Sequence, residues 1–559
     1  MDKKKSSKKN HYMLRIMVAL VALIIQIIWI IYHINWINDI YPITTVISHF
    51  LAIILVIRIY GKHTNSAMKI PWMVFLLIFP ITGLILYSLF ASRISKYAVK
   101  RRFKHILGKV YRYLYDDEYI LDNIKESDLD LYGQVRYISK IGRFPAYDQG
   151  KVTYYPEAKQ GIEAQKEAMS KAEKFIFMEY HAIEDSISFQ EIEEILVEKV
   201  RQGIDVRIVY DDVGSLVFID KSFRKRLEEE GIKCRVFNPI GPFFNVFMNN
   251  RDHRKITVID GKYAFTGGYN LADEYFNLVS PYGYWKDTGI KVEGRPVDSF
   301  TLMFLEMWYA SKSTKKISED IGKLINHCKE DIIQEDFISR EEDHIKEEVC
   351  TKEGLVKAKD DSRRNIPSKK QNATGGDNII IQPFAENPLK EELLAESAYM
   401  NLIKKAREYV YITSPYLLID DNMVEELSLA AKRGIDVRIV TPGIPDKKIV
   451  YKMTRSYYGS LARNGVRIYE YMPGFIHSKQ IISDDKTAII GTINMDYRSL
   501  YHHFENGVFI HNAACIKDMR DDFENIFKAS YEVTEKYASG RSTSLRIIQC
   551  LWRFVAPLV

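Results

Sequence analysis

The chain has little from which to build a covalent or metal framework. Its five cysteines in 559 residues, Cys234, Cys328, Cys350, Cys515 and Cys550, are scattered, odd in number and contain no CxxC pair. That pattern disfavours a disulfide scaffold or a zinc cluster and fits a reducing compartment. An excess of charge of one sign is also missing: 79 basic residues against 73 acidic ones leave a net charge of +6. The balance is too even for a dedicated nucleic-acid binder, so the placement of the basic residues matters more than their sum. What is present is a globular composition, 47% hydrophobic and 27% charged, with length for roughly three or four domains.

Apolar residues concentrate at the start. Residues 16–38, 40–57 and 70–92 contain no Asp, Glu, Lys or Arg. Each is close to the roughly 20 residues that a membrane-spanning helix needs. Lys3, Lys4, Lys5, Lys8 and Lys9 precede them, and residues 93–112 hold eight basic residues and no acid. Positive residues prefer the cytoplasmic side. Both basic stretches can lie there if two runs cross and one is re-entrant, the third run with Pro71, Pro80 and Gly83 being the candidate. The expectation is a multi-pass cell-membrane protein with its body on the cytoplasmic face. Its basic stretch would lie on anionic headgroups, each charge contributing about 1 kcal/mol; a solvated helix face is the alternative.

The remainder repeats itself. Gly203-Ile204-Asp205-Val206-Arg207-Ile208-Val209 recurs as Gly434-Ile435-Asp436-Val437-Arg438-Ile439-Val440. Each copy reads helix, β-branched strand, helix, strand, an α/β pattern with strands buried on both faces. The expected division is a membrane-anchoring region (1–92), a basic connector (93–150), a first α/β domain (151–338), a charged linker (339–377), a second α/β domain (378–540) and an amphipathic tail (541–559). In the linker, 17 of the 31 residues from 340 to 370 are charged, too many to bury a core. In the tail, Leu545, Ile548, Leu551, Trp552 and Val555 share helical spacing, which suits an interfacial helix or one packed on the protein.

One motif occurs twice. His253, Lys255, Asp260, Gly267 and Asn270 recur as His477, Lys479, Asp484, Gly491 and Asn494, with identical offsets from the histidine. Residues two apart on a strand share a face, so each His–Lys pair points together. The aspartates have the opposite parity and end the strand, which favours a structural role at the turn. Two lysines and two asparagines converging between the halves suit one tetrahedral anion, a phosphate, with Asn270 and Asn494 as amide donors. Two histidines on opposite sides of phosphorus suit a two-step displacement. Each needs a carboxylate on its other ring nitrogen; Asp287 and Glu505, 34 and 28 residues downstream, are the candidates.

The paired HxKxxxxD motifs with GxxN resemble the phospholipase D superfamily. Pro71-Trp72, Phe79-Pro80-Ile81-Thr82-Gly83, Gly267-Gly268-Tyr269-Asn270, Trp285-Lys286-Asp287 and Ala556-Pro557-Leu558 are similar to segments of its bacterial cardiolipin synthase branch. The resemblance implies two duplicated phospholipase D-like α/β domains, each a mixed sheet flanked by helices, after a transmembrane helical region. It assigns the catalytic motif to His253, Lys255, Asp260, His477, Lys479 and Asp484. His253 would be the nucleophile and His477 the acid and base. The lysines would stabilise charge on the phosphoryl oxygens. The implied partners are phosphatidylglycerol and anionic membrane lipids rather than nucleic acid, and no metal or other cofactor is required. Hydrolysis, another acceptor alcohol, a nuclease on the same fold and a non-enzymatic lipid-binding protein are the competing readings. Two positions depart from the family pattern, Thr492 in place of Ser and Gly268, and neither is assigned a catalytic role. A further asymmetry is an apolar insertion before His253 with Phe243, Phe244 and Phe247, suited to an interfacial loop.

Overall fold

The repeated β-branched segments form the central strands of two sheets, each buried on both faces as their unbroken apolar character requires. The computed structural model describes residues 42–62, 64–90, 93–239, 249–311, 321–325, 379–539 and 543–558, with Ile28 and Tyr32. The linker at 339–377, the insertion holding Phe243, Phe244 and Phe247, and nearly all of the first apolar run lie outside the described residues.

The first sheet comprises β1 (Lys151–Tyr155), β2 (Phe175–Tyr180), β3 (Asp205–Asp211), β4 (Lys233–Phe237), β5 (Lys255–Ile259), β6 (Tyr263–Gly267) and β8 (Gly289–Glu293), in the order β1-β8-β6-β5-β2-β3-β4; β7 (Tyr284–Lys286) stands apart. The second uses β9 (Ile380–Glu386), β10 (Tyr409–Thr413), β12 (Asp436–Pro442), β13 (Arg467–Tyr471), β15 (Gln480–Ser483), β16 (Thr487–Gly491), β18 (Glu505–His511) and β19 (Ser530–Glu532). Its order, β19-β13-β12-β10-β15-β16-β18-β9, repeats the first sheet with one added edge strand. In both, three parallel strands continue into antiparallel ones, so the sheets are mixed. The domains join through β14 (Gly474–Ile476), which pairs in parallel with β7, and through a bridge between Asp252 and Phe504.

The apolar segments near the start require a correction. They form α1 (Pro42–Tyr60), α2 (Ser66–Ile78) and α3 (Pro80–Phe90), and no helix among the described residues is long and apolar enough to cross a membrane. The run at 70–92 is broken at Phe79, because the residue before a proline is pushed out of helical geometry, and Pro80 starts α3. At 1.5 Å per residue these pieces are only about 20 and 16 Å long. α1 carries Thr44, Thr45, Ser48 and His49 in its first half. The three helices pack around Ile59, Leu76 and Tyr87. Asn65, at the turn before α2, donates to Tyr501 Oη (2.6 Å), which donates to Glu396 (2.7 Å).

The basic stretch forms α4 (Arg93–Val110), which buries Phe103, Ile106 and Val110 and exposes Lys100, Arg101 and Lys104. Phe103 stacks on Phe504, with ring centroids 5.1 Å apart. The nearly all-buried helix α5 (Val297–Ala310) lies under the first sheet. The tail forms α6 (Thr543–Val555), against the helix Lys448–Ala462.

Asp260 and Asp484, grouped above with the catalytic motif, sit roughly 16 Å of strand beyond the motif lysines. Asp260 accepts from the N–H groups of Glu173, Lys174 and Phe175 at 2.7–2.9 Å, and Asp484 from those of Arg407, Glu408 and Tyr409 at 2.8–2.9 Å. Each thereby ties the end of the motif strand to the start of its central neighbour. Both have φ near +55°, a conformation that Asp tolerates better than most residues. Asp260→Ala is expected to destabilise the fold by about 2–3 kcal/mol, through three buried or half-buried N–H groups left without their acceptor. Denaturant unfolding will read this loss, while turnover per folded molecule stays close to wild type. Asp484→Ala should cost less, because Asp484 is only half-buried whereas Asp260 is buried.

Candidate active site

Both histidines stand just before a motif strand, where one domain meets the other. The His253 N–H donates to Phe504 O (2.9 Å), and the Phe504 N–H returns to Arg251 O (2.9 Å). The His477 N–H donates to Lys286 O (2.7 Å), and the Tyr284 N–H to Pro473 O (2.9 Å). In each case the acceptor carbonyl belongs to the residue before a carboxylate of the opposite domain. The side chains follow. His253 Nδ1 lies 2.9 Å from Glu505 Oε2, and His477 Nδ1 lies 2.6 Å from Asp287 Oδ2. The carboxylates are therefore exchanged between the domains, a crossing that the similar sequence offsets did not reveal.

The parity of the strand decides what the intervening residues do. Lys255 and Lys479 turn back beside their histidines: Lys255 Nζ donates to His253 O (2.8 Å), and Lys479 Nζ lies 2.7 Å from His477 Nδ1. Arg254 points the other way into the core, pairs with Glu306 (3.0 Å) and donates to Met303 O and Glu505 O. Tyr111 and Asn387 also donate to Glu306, so this buried network spans the connector and both domains. Its counterpart in the second motif, Ser478, only donates to Thr413 (2.9 Å).

The two departures from the family pattern are explained by the carboxylates. Thr492 Oγ1 donates to Glu505 Oε2 (2.5 Å) and accepts from the Asn506 N–H (3.0 Å), so its hydroxyl holds the carboxylate that faces His253. Gly268 occupies the same place in the first motif. A Cβ there would stand 2.0 Å from Asp287 Oδ1. Gly267 and Gly491 are needed for close approach, since a Cβ would lie 2.4 Å from Thr288 O and 2.2 Å from Asn506 O. The asparagines are less direct. Asn270 donates to Tyr275 Oη (2.8 Å) and accepts from the Ala182 N–H (3.2 Å). Asn494 keeps a buried Oδ1 without a hydrogen bond.

Two further histidines, which carry no motif, enter the site. The His181 and His503 rings lie 4.8 and 5.4 Å from the His253 ring. His181 Nδ1 contacts Asp252 O (2.7 Å), while His503 Nδ1 approaches Glu505 Oε1 at 3.6 Å. Their only sequence signals are the places of His181 after β2 and of His503 two residues before Glu505. His253, His503 and Glu505 also form a group of ligand types that could accept a metal ion, with their ligand atoms within 4.8 Å of one another. That grouping was not legible from spacing. A metal there would compete for the Nδ1 that Glu505 orients.

Burial and cationic neighbours set the protonation states. Desolvation, followed by Lys255 and Lys479, holds His253 well below the usual imidazole range. Desolvation and Lys479 lower His477 to about 3, although Asp287 opposes them. Desolvation lowers Lys255 to about 8 and Lys479 to about 7, against the pull of nearby carboxylates. For Asp287, burial acts upward but His477 and Lys479 outweigh it and hold the carboxyl below its ordinary range. Burial thus leaves both imidazoles neutral near pH 7 and lowers two lysines whose ammonium forms a bound anion would stabilise.

Gly268→Ala is expected to displace Asp287 and lower kcat by about 10- to 100-fold, an orientation loss of the scale seen when groups supporting a reactive residue are removed. KM should change little. Steady-state kinetics on a variant shown to be folded will check this split.

The comparisons with known proteins agree with this architecture. Residues 166–290 and 399–527 match the family described as cardiolipin synthase, PLD-like domain, and residues 50–91 match the phospholipase D-nuclease N-terminal family. An uncharacterized protein of Streptococcus mutans is 37% identical, over 90% of this chain and 99% of its own. The cardiolipin synthase of Halalkalibacterium halodurans is 30% identical, over 90% and 91% respectively. Cardiolipin synthase 2 of Bacillus cereus is also 30% identical, over 90% and 88%. The fold is similar to that of phosphatidylserine synthase from Haemophilus influenzae, with a TM-score of 0.52 and 12% identity, covering 76% of this chain and 99% of that one. With two phospholipase D-like domains and full-length relatives of this kind, the chain belongs to the cardiolipin synthase family, phosphatidyltransferases of the phospholipase D superfamily.

Proposed function

We propose that the chain joins two molecules of phosphatidylglycerol into cardiolipin and glycerol, through a phosphohistidine on His253. The observation that carries this reading is the pair of histidines, each held at Nδ1 by a carboxylate of the opposite domain, with two lysines between them. With Nδ1 turned to Glu505, His253 presents Nε2 to the phosphodiester. A P–N bond forms, and the P–O bond to glycerol breaks as His477 gives the leaving oxygen its proton. The bound anion offsets the lysine charges, which raises His477 enough to hold that proton. Neutral His477 then takes the proton of a hydroxyl on the second phosphatidylglycerol. That oxygen attacks phosphorus and the P–N bond breaks. Lys255 and Lys479 stabilise charge on the oxygens.

The substrate is a bilayer lipid, and α1–α3 suit a seat in the bilayer. Ile43, Val46, Phe50, Ile57, Ile70, Leu77 and Ile78 expose apolar side chains that water does not favour. The exposed Lys100, Arg101 and Lys104 of α4 would then meet anionic headgroups on the cytoplasmic face. The Phe103–Phe504 stack sets α4 one residue from Glu505.

With purified protein in vesicles containing labelled phosphatidylglycerol, the expected products are cardiolipin and glycerol. His253→Ala and His477→Ala should each lower the rate on the order of 10³-fold or more without loss of fold, as removal of a nucleophile or general acid does. Phosphatidic acid as the main product would instead assign hydrolysis. The pH profile has a definite sign. Lysines with lowered pKa values are charged below those values and neutral above them. kcat/KM, which reports the free enzyme, should already decline with rising pH below neutrality, because the acid His477 is mostly neutral there. The decline should steepen above pH 7 as Lys479 loses its proton, and again above pH 8 with Lys255. A profile flat to pH 10 would contradict this role for the lysines.

A further inference from the structure

Helix α6 is fixed in rotation by one face and leaves the opposite face open. On the fixed side, Trp552 packs on the core, and the Arg553 guanidinium donates to Ser456 O (3.1 Å) and Ser460 Oγ (2.6 Å) and lies 4.7 Å over the Tyr457 ring. At 100° per residue the other side gathers Ile547, Ile548, Leu551 and Phe554. These four are exposed, Leu551 by 61%. The helix also touches α2, and the buried Ala556 and Pro557 that follow it belong to a turn that contacts both α2 and the helix Tyr497–Tyr501. Along α2, Ile70, Val74, Leu77 and Ile78 are likewise exposed, at the spacing of a single helical stripe.

We propose that α6 is a second bilayer-contacting element, whose Ile547, Ile548, Leu551 and Phe554 enter the acyl region beside α2. Two observations favour a phospholipid bilayer as the occupant. The face adjoins the apolar surface of α2, and the Arg553 and Trp552 contacts prevent the helix from rolling to hide it. A helix of this kind lies in the interface with one face a few ångströms deep. Its seat is the helix Lys448–Ala462. The inference rests on the bilayer placement of α1–α3.

Cys550 lies beside the open face and is exposed. Burial pushes the Cys234 and Cys515 thiols up to about 12, so they should resist labelling. With Cys328→Ser and Cys350→Ser, an environment-sensitive fluorophore is attached to Cys550 of the full chain in phosphatidylglycerol-containing vesicles. Quenching by lipid carrying a shallow nitroxide, with little quenching by iodide, is the expected result. Quenching by iodide without the nitroxide lipid overturns the proposal. So does protection from both, which would mean that another part of the chain covers the face. A parallel Ile57→Cys label, with Cys550→Ser, separates the premises. Nitroxide quenching there but not at Cys550 overturns the α6 assignment alone; quenching at neither overturns the bilayer placement of α1–α3 as well. Ile547→Ser, Leu551→Ser and Phe554→Ser together should also lower turnover of vesicle lipid by about threefold or more, with a short-chain soluble phosphatidylglycerol turned over as before. Equal loss on both substrates would overturn the functional part of the proposal.

Discussion

Everything at the site depends on one exchange across the domain boundary. Each histidine gives its backbone N–H to the residue before the other domain's carboxylate, and its ring to that carboxylate. The backbone bond fixes where the strand end lies, and the side-chain bond fixes the ring, so the second is held in place by the first. Neither domain alone contains a motif histidine together with the carboxylate that orients it. The short β7–β14 pairing and the bridge between Asp252 and Phe504 are the seams that make the exchange possible.

That seam is electrostatically demanding. Two lysines, three imidazoles and two carboxylates are almost fully buried in and around it, with His181 half-buried beside them. Isolated, any of these charges would be costly in so dry a place. They are tolerated because each carboxylate has several partners: Glu505 has His253 and Thr492, and Asp287 has His477 and the Thr288 N–H. Behind them, Arg254 and Glu306 join the first domain, Tyr111 of the connector and Asn387 of the second domain. The same strand thus carries chemistry on one face and the interdomain tie on the other.

The contacts also couple the two-domain body to the N-terminal helices. The Phe103–Phe504 stack, the Asn65–Tyr501–Glu396 chain and the Arg102 bonds to the carbonyls of Tyr309 and Ala310 all reach residues within a turn or two of the site or of α5. Direct packing of α2 and α4 against the body fixes where these helices stand relative to the site.

The sequence by itself determined what is local to a strand. A period of two put His253 with Lys255 and set Asp260 and Arg254 apart from them, because side-chain alternation needs no knowledge of distant residues. The duplicated offsets likewise made two equivalent α/β domains legible. Tertiary structure decided the rest. Asp287 lies 34 residues after His253 and Glu505 28 after His477, offsets that suggest a partner within each half, so only the packing of the domains could show that they are exchanged. Gly268 and Thr492 looked like departures until the two carboxylates they serve were in place. His181 and His503 have no pattern, and they matter through proximity alone. The apolar run at 70–92 read as one continuous segment because hydropathy averages over proline, whereas α2 passes through Pro71 but leaves helical geometry at Phe79 (φ −126°, ψ 72°), turned toward the extended conformation favoured before a proline, and Pro80 starts α3.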